Sequence, residues 1–334
     1  MTVRVGINGF GRIGRSVLRA ALASEADIEV VAVNDITDVT TLATLLEWDS
    51  VSGHLDGVRA ADDAIEVGDR TVRVFAQRDP GLVPWGDVGA DVVIESTGRF
   101  TDAESARQHL AGGARKVIVS APAKGDVPAV VLGVNSDTLD VDAHDVFSNG
   151  SCTTNCLAPM AKVLHDAFGI ESGLMTTVHA YTSDQRLHDA PHSDLRRARA
   201  AALSTIPTSS GAARTIGRII PELDGRLTGF ALRVPVPVGS ITDLTAVLAT
   251  TVTVADVNEA FRAAAASDGL GRYLEYSTAP IVSADIVGNP HSAIFDAPLT
   301  QAVGTQVKVL AWYDNEWGFS HRLVELAELV GQPR

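Results

Sequence analysis

The chain has 334 residues and a formal net charge of −14, from 27 basic and 41 acidic side chains. That balance argues against a general affinity for nucleic acid or anionic membranes, and the apolar runs are too short for a bilayer, so neither is expected as a partner. With 46% hydrophobic and 20% charged residues at this length, the composition is that of a globular protein with two domains. Met1-Thr2-Val3-Arg4-Val5-Gly6 runs directly into a strand without a signal-peptide pattern, and two cysteines cannot build a disulfide framework. A reducing, cytoplasmic location is the expectation.

Val3-Arg4-Val5-Gly6-Ile7-Asn8 alternates and is β-branched, which predicts a strand. A G-x-G-x-x-G follows at Gly9, Gly11 and Gly14, then a helical pattern with Ile13, Val17, Leu18, Ala21 and Leu22 on one face. A second strand, Glu29-Val30-Val31-Ala32-Val33, ends at Asn34-Asp35. This is the layout of a dinucleotide site: Gly9 for the tight turn, Gly11 for close approach of a pyrophosphate and Gly14 for helix–strand packing. The helix N-terminus would hold the phosphates, and Asp35 the ribose hydroxyls. An acid at position 35 also repels a ribose 2′-phosphate, which favours NAD over NADP. Strands are predicted at 92–95, 116–120 and 129–132, with a helix over 101–111 between the first two. Alternating strands and helices imply a Rossmann-type, doubly wound parallel sheet, with Thr97-Gly98 and Ser120-Ala121-Pro122 lining the cofactor cleft.

Ser148-Asn149-Gly150-Ser151-Cys152-Thr153-Thr154-Asn155-Cys156 holds both cysteines, where a strand over 145–148 ends and a helix is predicted from Thr154. A thiol among hydroxyl and amide residues at a helix N-terminus reads as a nucleophile, because orphan N–H groups and the dipole stabilise a thiolate. Two quiet, buried cysteines on one helix are the alternative. The domain boundary is placed here, giving a cofactor domain over 1–150 and a catalytic domain over 151–315. A C-terminal helix over about 316–334 is expected to pack back on the first domain. Long strands at 174–179, 229–237, 241–248 and 306–313 lack regular crossover helices, so the second domain is expected to be α+β with a mostly antiparallel or mixed sheet. Helices are predicted at 253–266 and around 325–330. His179 has the best placed context of nine histidines, at a strand-to-loop exit; separation along the chain leaves open whether it meets Cys152. Arg196, Arg197, Arg199, Arg214, Arg218 and Arg233 are candidates to overcome the overall negative field for an anionic substrate.

Along essentially its whole length the chain resembles phosphorylating glyceraldehyde-3-phosphate dehydrogenases. The runs that carry the resemblance are Gly6-Ile7-Asn8-Gly9-Phe10-Gly11-Arg12-Ile13-Gly14-Arg15, Ser151-Cys152-Thr153-Thr154-Asn155-Cys156, Val178-His179-Ala180-Tyr181-Thr182, Arg233-Val234-Pro235-Val236-Pro237 and Trp312-Tyr313-Asp314-Asn315-Glu316-Trp317-Gly318. The run Arg196-Arg197-Ala198-Arg199-Ala200-Ala201-Ala202 matches as well. The resemblance implies NAD-dependent oxidative phosphorylation of D-glyceraldehyde 3-phosphate through a thiohemiacetal and a thioester on Cys152, with His179 as its partner and proton acceptor. It implies a substrate-phosphate pocket from Thr182 and Arg233, and an attacking-phosphate pocket from Ser151, Thr153, Arg197, Ser210 and Gly211. Arg12, Ile13, Asp35, Arg78, Ser120 and Asn315 match cofactor positions, and a homotetramer is implied, with the segment from 180 to about 203 near a neighbour's cofactor. Erythrose-4-phosphate dehydrogenase, a non-catalytic NAD-binding protein and a cysteine hydrolase are the competing readings. Three positions depart from the family pattern: Gly150 for the usual alanine, Ser210 for threonine, and Ala190 where bacterial NAD users often carry leucine. The first two raise the expectation of an isoform whose thiol tolerates bulky electrophilic inhibitors, and Ala190 could relax the exclusion of NADP.

Overall fold

The computed structural model describes residues 1–332, which divide into two compact units. The first comprises Met1–Ala129, Leu139–Gly150 and the C-terminal segment from Ser320; the second comprises Val130–Thr138 and Ser151–Phe319.

The first unit runs β1 (Val3–Asn8), α1 (Arg12–Ala23), β2 (Ile28–Asn34), α2 (Val39–Glu47), a two-stranded hairpin of β3 (Trp48–Asp49) and β4 (Gly53–His54), β5 (Val58–Ala60), β6 (Ala64–Val67), β7 (Arg70–Phe75), β8 (Val92–Glu95), α3 (Ala103–Ala111), β9 (Lys116–Val119) and β10 (Val146–Ser148). The main sheet has the order β10-β9-β8-β1-β2-β7-β6-β5. Strands from β10 to β7 are parallel, and β6 and β5 continue the sheet antiparallel. Val5, Ile7, Val92, Val93, Ile94, Val117 and Ile118 are wholly buried, as a parallel sheet covered on both faces requires. The chain leaves β1 toward β2 on one side and returns to β8 on the other, so the order reverses at β1/β8. The carboxyl ends of these strands form the crevice in which such folds bind ligands.

The run at 129–132 departs from the expected strand. Ala129 forms an isolated bridge to Ser148 in place of a strand. The following residues turn, because Val131 donates its N–H to Asn135 Oδ1 (2.8 Å) and its carbonyl accepts the N–H groups of Val134 and Asn135. An apolar sequence is thus overridden by an asparagine that offers the backbone a local acceptor.

The second unit runs α4 (Cys152–Phe168), β11 (Ile170–Ala180), β12 (Ile206–Ser209), α5 (Ala212–Ile219), β13 (Leu227–Val234), β14 (Ser240–Leu248), α6 (Val254–Ala265), β15 (Leu274–Ser277), β16 (Ala293–Asp296), β17 (Gln301–Val303) and β18 (Gln306–Tyr313). Its sheet has the order β12-β13-β11-β14-β18-β16-β15, with β17 beside β18. It is mixed: β11 pairs with β13 in parallel and with β14 antiparallel. Cys156, Leu157, Met160, Ala161 and Leu164 of α4 are buried, and Phe261 stacks on Phe295 with centroids 3.8 Å apart. Helix α6 starts at a capping box in which Thr253 and Asp256 satisfy each other's backbone N–H groups.

The last helix, α7 (Trp317–Gly331), ends in the first unit, where Glu328 Oε1 accepts the Asp27 N–H (3.0 Å) and Arg115 Nη2 donates to the Gly331 carbonyl (2.9 Å). The end of the expected helix, residues 333–334, lies outside the described residues.

A Cβ at Gly14 would stand 2.2 Å from the Gly9 carbonyl oxygen, so only glycine lets α1 approach the β1 turn this closely. Gly14→Ala is expected to destabilise by about 1–3 kcal/mol through overpacking, seen as a lower unfolding temperature in scanning calorimetry. An unchanged transition would show that this approach relaxes in solution.

Candidate active site

Ser151 has extended backbone dihedrals, and its Oγ accepts the Thr154 N–H (3.1 Å). This cap starts α4 at Cys152, two residues earlier than the sequence pattern suggests, and puts the thiol on the first helical residue. Two residues before it, Gly150 has φ +64°, a left-handed conformation that an alanine would adopt only at a cost of about 1 kcal/mol.

Cys152 Sγ lies 3.3 Å from His179 Nε2. His179 stands near the end of β11, and its register partner across the parallel pair is Arg233 on β13. Arg233 Nη1 is 2.8 Å from His179 Nδ1, 3.0 Å from the Ala180 carbonyl and 3.2 Å from Thr182 Oγ1. His179 Nδ1 is also 2.7 Å from the Ala180 carbonyl, so an Nδ1–H donated there leaves Nε2 to accept the thiol proton. Behind the pair is Tyr313, whose hydroxyl bonds to Thr153 Oγ1 (2.9 Å) and Thr177 Oγ1 (2.8 Å) and whose ring meets the His179 ring edge to face, 5.9 Å between centroids.

The electrostatics correct one expectation. Burial, seconded by the Arg233 charge, pushes His179 down to about 3, so the resting imidazole is neutral. Burial pushes the Cys152 thiol up, while the Arg233 guanidinium and the Thr153 N–H and hydroxyl work the other way. These shifts favour a resting thiol facing a neutral base over the thiolate expected at a helix N-terminus. Moving the proton from Sγ to Nε2 creates both charges together, which costs less in a buried site than ionising either group alone. Cys156 is pushed up to about 12 by burial, and its Sγ sits 3.6 Å from the Ala311 carbonyl; it is a packing residue.

Of the residues expected to bind phosphate, Thr182, Arg233 and Arg197 fall into one connected group. Arg197 Nη1 pairs with Asp184 Oδ2 (2.5 Å), its Nε donates to Thr208 Oγ1 (2.9 Å), and the Thr182 hydroxyl donates to Asp184 Oδ1. Ser151 Oγ is committed to capping α4, and the Thr153 hydroxyl is turned inward to Tyr313. Ser210 and Gly211 form the entry to α5, with Ser210 Oγ accepting the Ala212 N–H (3.3 Å). Of the other arginines, Arg196, Arg199, Arg214 and Arg218 are exposed, and Arg199 is paired with Asp189. Asp184, Thr208 and Tyr313 escape a reading of the sequence, since nothing in their spacing sets them apart; Tyr313 is found only through the run that carries the resemblance.

The cofactor residues of the first unit gather at the end of β1. Gly9 has φ +91°, and Gly11 caps α1 with open space where a Cβ would stand. Asp35 Oδ2 accepts the Phe10 N–H (2.8 Å) and Oδ1 the Thr37 N–H (3.0 Å). Arg12 is paired with Asp49 (2.5 Å), Ile13 is half-buried, and Arg78 is exposed. Ser120 donates its N–H to the Glu95 carbonyl (3.0 Å). The first turn of α1 holds no acidic residue, and an unfilled cradle at Gly11 before a helix N-terminus suits a pyrophosphate. Asn315, in the second unit, is buried, and its Oδ1 accepts the Gly239 N–H (3.1 Å) and the Ser240 hydroxyl (2.9 Å), which fixes the orientation of its amide. Among the described residues no group of three or more His, Cys, Asp or Glu could hold a metal ion, and no helix is long and apolar enough to cross a membrane.

Family models agree with the two halves. The model of the glyceraldehyde 3-phosphate dehydrogenase NAD binding domain matches residues 3–103, and that of the C-terminal domain matches residues 151–315. The chain is 62% identical over 332 residues to glyceraldehyde-3-phosphate dehydrogenase 1 of Streptomyces avermitilis, covering 99% of each chain. It is 61% identical over 332 residues to glyceraldehyde-3-phosphate dehydrogenase 2 of Streptomyces arenae, and 58% over 339 residues to the glyceraldehyde-3-phosphate dehydrogenase of Mycobacterium tuberculosis, again with 99% of each chain covered.

If His179 is the base for the thiol, His179→Asn leaves a half-buried thiol whose pKa burial has raised, so the thiolate forms only as pH rises beyond the ordinary thiol value of about 8.5. Alkylation of Cys152 by iodoacetamide at pH 7 is expected to slow about tenfold or more in the variant and to recover at alkaline pH. Superimposable pH–rate profiles for the two proteins would remove His179 from this role.

Proposed function

The chain belongs to the glyceraldehyde-3-phosphate dehydrogenase family, and we propose that it catalyses the reaction of that name, the NAD-dependent oxidation and phosphorylation of D-glyceraldehyde 3-phosphate to 1,3-bisphosphoglycerate in glycolysis. The observation that carries this reading is the Cys152–His179 pair at the start of α4, 3.3 Å apart and beside Arg233. Relatives named for this aldehyde at 58–62% identity favour it over the erythrose 4-phosphate reaction.

Residues 1–150, with the C-terminal helix, are the NAD-binding domain in this reading, and residues 151–315 the catalytic domain. Gly9, Gly11, Arg12, Ile13 and Gly14 would hold the pyrophosphate end of NAD, Asp35 the adenosine ribose, Arg78 and Ser120 the flanks, and Asn315 the carboxamide. NAD, when bound, supplies the hydride acceptor. His179 Nε2 takes the Cys152 proton as Sγ adds to the aldehyde carbon, giving a thiohemiacetal. The N–H groups at the start of α4, Cys152 among them, lie where they can hold the developing oxyanion. His179 gives that proton to the oxyanion, making the thiohemiacetal hydroxyl, and takes it back as the carbon is oxidised to the thioester. Thr182 and Arg233 hold the substrate phosphate; Arg197, with Ser151, Thr153, Ser210 and Gly211, receives the inorganic phosphate whose oxygen displaces Sγ. Arginine forks and hydroxyls match phosphate oxygens.

A homotetramer fits the outer face of the mixed sheet, where Leu174 on β11 and Phe230 on β13 are 66% and 46% exposed. A nucleophilic thiol needs a reducing compartment, so we place the protein in the cytoplasm. At position 150 the φ of +64° makes glycine the relaxed choice, and we relate it to tolerance of bulky electrophiles. Gly150→Ala is then expected to change inactivation rates by epoxides, and equal rates would end that idea.

The main reading predicts NADH formation from glyceraldehyde 3-phosphate that phosphate stimulates, with NAD preferred to NADP. Cys152→Ser is expected to fall to background, and Arg233→Leu to raise the KM for the aldehyde about ten- to a hundredfold through the loss of charged hydrogen bonds. Phosphate-independent oxidation, faster with erythrose 4-phosphate, would point to the hydrolytic relative instead. NAD binding without turnover would point to a non-catalytic protein.

A further inference from the structure

Thr182 has one hydroxyl proton, and it is given to Asp184 Oδ1 while the hydroxyl oxygen receives Arg233 Nη1 (3.2 Å). Arg197 gives Nη1 to the other oxygen of the same carboxylate (2.5 Å) and Nε to Thr208 (2.9 Å). One carboxylate therefore engages donors read above as belonging to two different phosphate pockets. Its own surroundings make it an anion at neutral pH: burial alone would raise Asp184, but the Thr182 hydroxyl and the Arg197 and Arg233 charges hold it below the ordinary carboxylate value.

We propose that Asp184 is an internal anion that competes with substrate phosphates for Thr182 and Arg197. The inference rests on the reading of those residues, with Arg233, as phosphate binders. The substrate phosphate needs the Thr182 proton, which points at Asp184 until the carboxylate leaves, and the attacking phosphate needs the Arg197 charge, which Asp184 offsets through Nη1. The exchange is feasible because the Asp184 side chain is 45% exposed against 20% for Arg197. The acid can return to water cheaply, since ion pairs of this exposure are weak. A phosphate dianion brings more charge and more acceptor oxygens to the same donors, so it displaces a monoanion, but with an affinity reduced by the competition. An enzyme that must release a charged acyl phosphate on every turnover is served by pockets that refill with their own carboxylate.

A positioning role for Asp184, orienting Thr182 and Arg197 for phosphate, gives the opposite sign on removal of the charge. Asp184→Asn keeps the side-chain shape and removes this anion, while Asp194, 3.9 Å from Arg197 Nε and bonded to Thr208, stays in place. Calorimetric titration of the full-length protein with inorganic phosphate is expected to show about three- to tenfold tighter binding in Asp184→Asn than in the parent. Steady-state rates are expected to show a lower KM for glyceraldehyde 3-phosphate without a rise in kcat, because release slows. Arg197→Leu and Arg233→Leu, titrated alongside, are expected to weaken phosphate binding. Weakening by the arginine variants, but unchanged or weaker binding in Asp184→Asn, overturns the competition while leaving the phosphate pockets in place. Phosphate binding untouched by either arginine variant overturns the pockets and this inference with them.

Discussion

The 3.3 Å contact between Cys152 Sγ and His179 Nε2 is the interaction on which the rest of the second unit bears. Neither group ionises alone in that setting, because burial opposes a charge on each. Chemistry depends on the two being close enough to exchange one proton, and closeness is set by elements far apart in the chain. Ser151 fixes where α4 starts, and so where the thiol sits. The parallel pairing of β11 with β13 fixes where His179 sits and sets Arg233 beside it. Tyr313 on β18 ties the first turn of α4 to β11 through Thr153 and Thr177 and backs the imidazole with its ring. Cys156, one turn further along α4, is buried and anchors the helix from below.

Arg233 acts on the pair in two directions. Its charge lowers the thiol and lowers the imidazole, favouring the thiolate while opposing the imidazolium. Its Nη1 also competes with His179 Nδ1 for the Ala180 carbonyl. A phosphate that draws the guanidinium toward itself relieves the imidazole of both effects, which makes Nε2 a better proton acceptor when substrate is present. In the proposed substrate site the same arginine would thus bind the phosphate and adjust the base, with no added group.

What the sequence made legible follows from how local each signal is. The glycine fingerprint, its flanking strand and helix and Asp35 lie within 33 residues of one another, and the structure gathers them at the end of β1. Cys152 was legible because its odd neighbours are adjacent to it. The start of α4 was read two residues late because a hydroxyl cap has no apolar periodicity. The 129–132 run was misread as a strand because its turn depends on Asn135, outside the apolar stretch. Helices α2 and α5 and the antiparallel β5–β6 extension were missed, being short segments with weak patterns. The pairing of His179 with Cys152 is legible only through the family resemblance and not from spacing: it is a product of strand register, and 27 residues separate the two. Asp184 is silent in sequence for the same reason, since an exposed aspartate in a loop looks like a solubilising charge until its two partners arrive from elsewhere.

The net charge of −14 poses a problem for an enzyme of phosphorylated substrates, and the geometry resolves it by distance. At physiological salt, exposed charges more than about 8 Å apart are largely screened from each other. The acidic surface therefore acts weakly on a phosphate already seated, while in the proposed sites Arg233, Arg197 and the N-terminus of α4 would act on it at contact. Arg233 is half-buried, with its charge directed at the Ala180 carbonyl, Thr182 and His179. A global charge opposed to the ligand slows encounter more than it weakens the bound state. A protein of net negative charge can thus hold anionic intermediates, provided that cations are few, close and partly buried. Asp184 and Asp194 are acids admitted inside that radius, 2.5 Å and 3.9 Å from Arg197, and in the proposed competition the place of Asp184 between Thr182 and Arg197 limits how tightly those donors hold a phosphate.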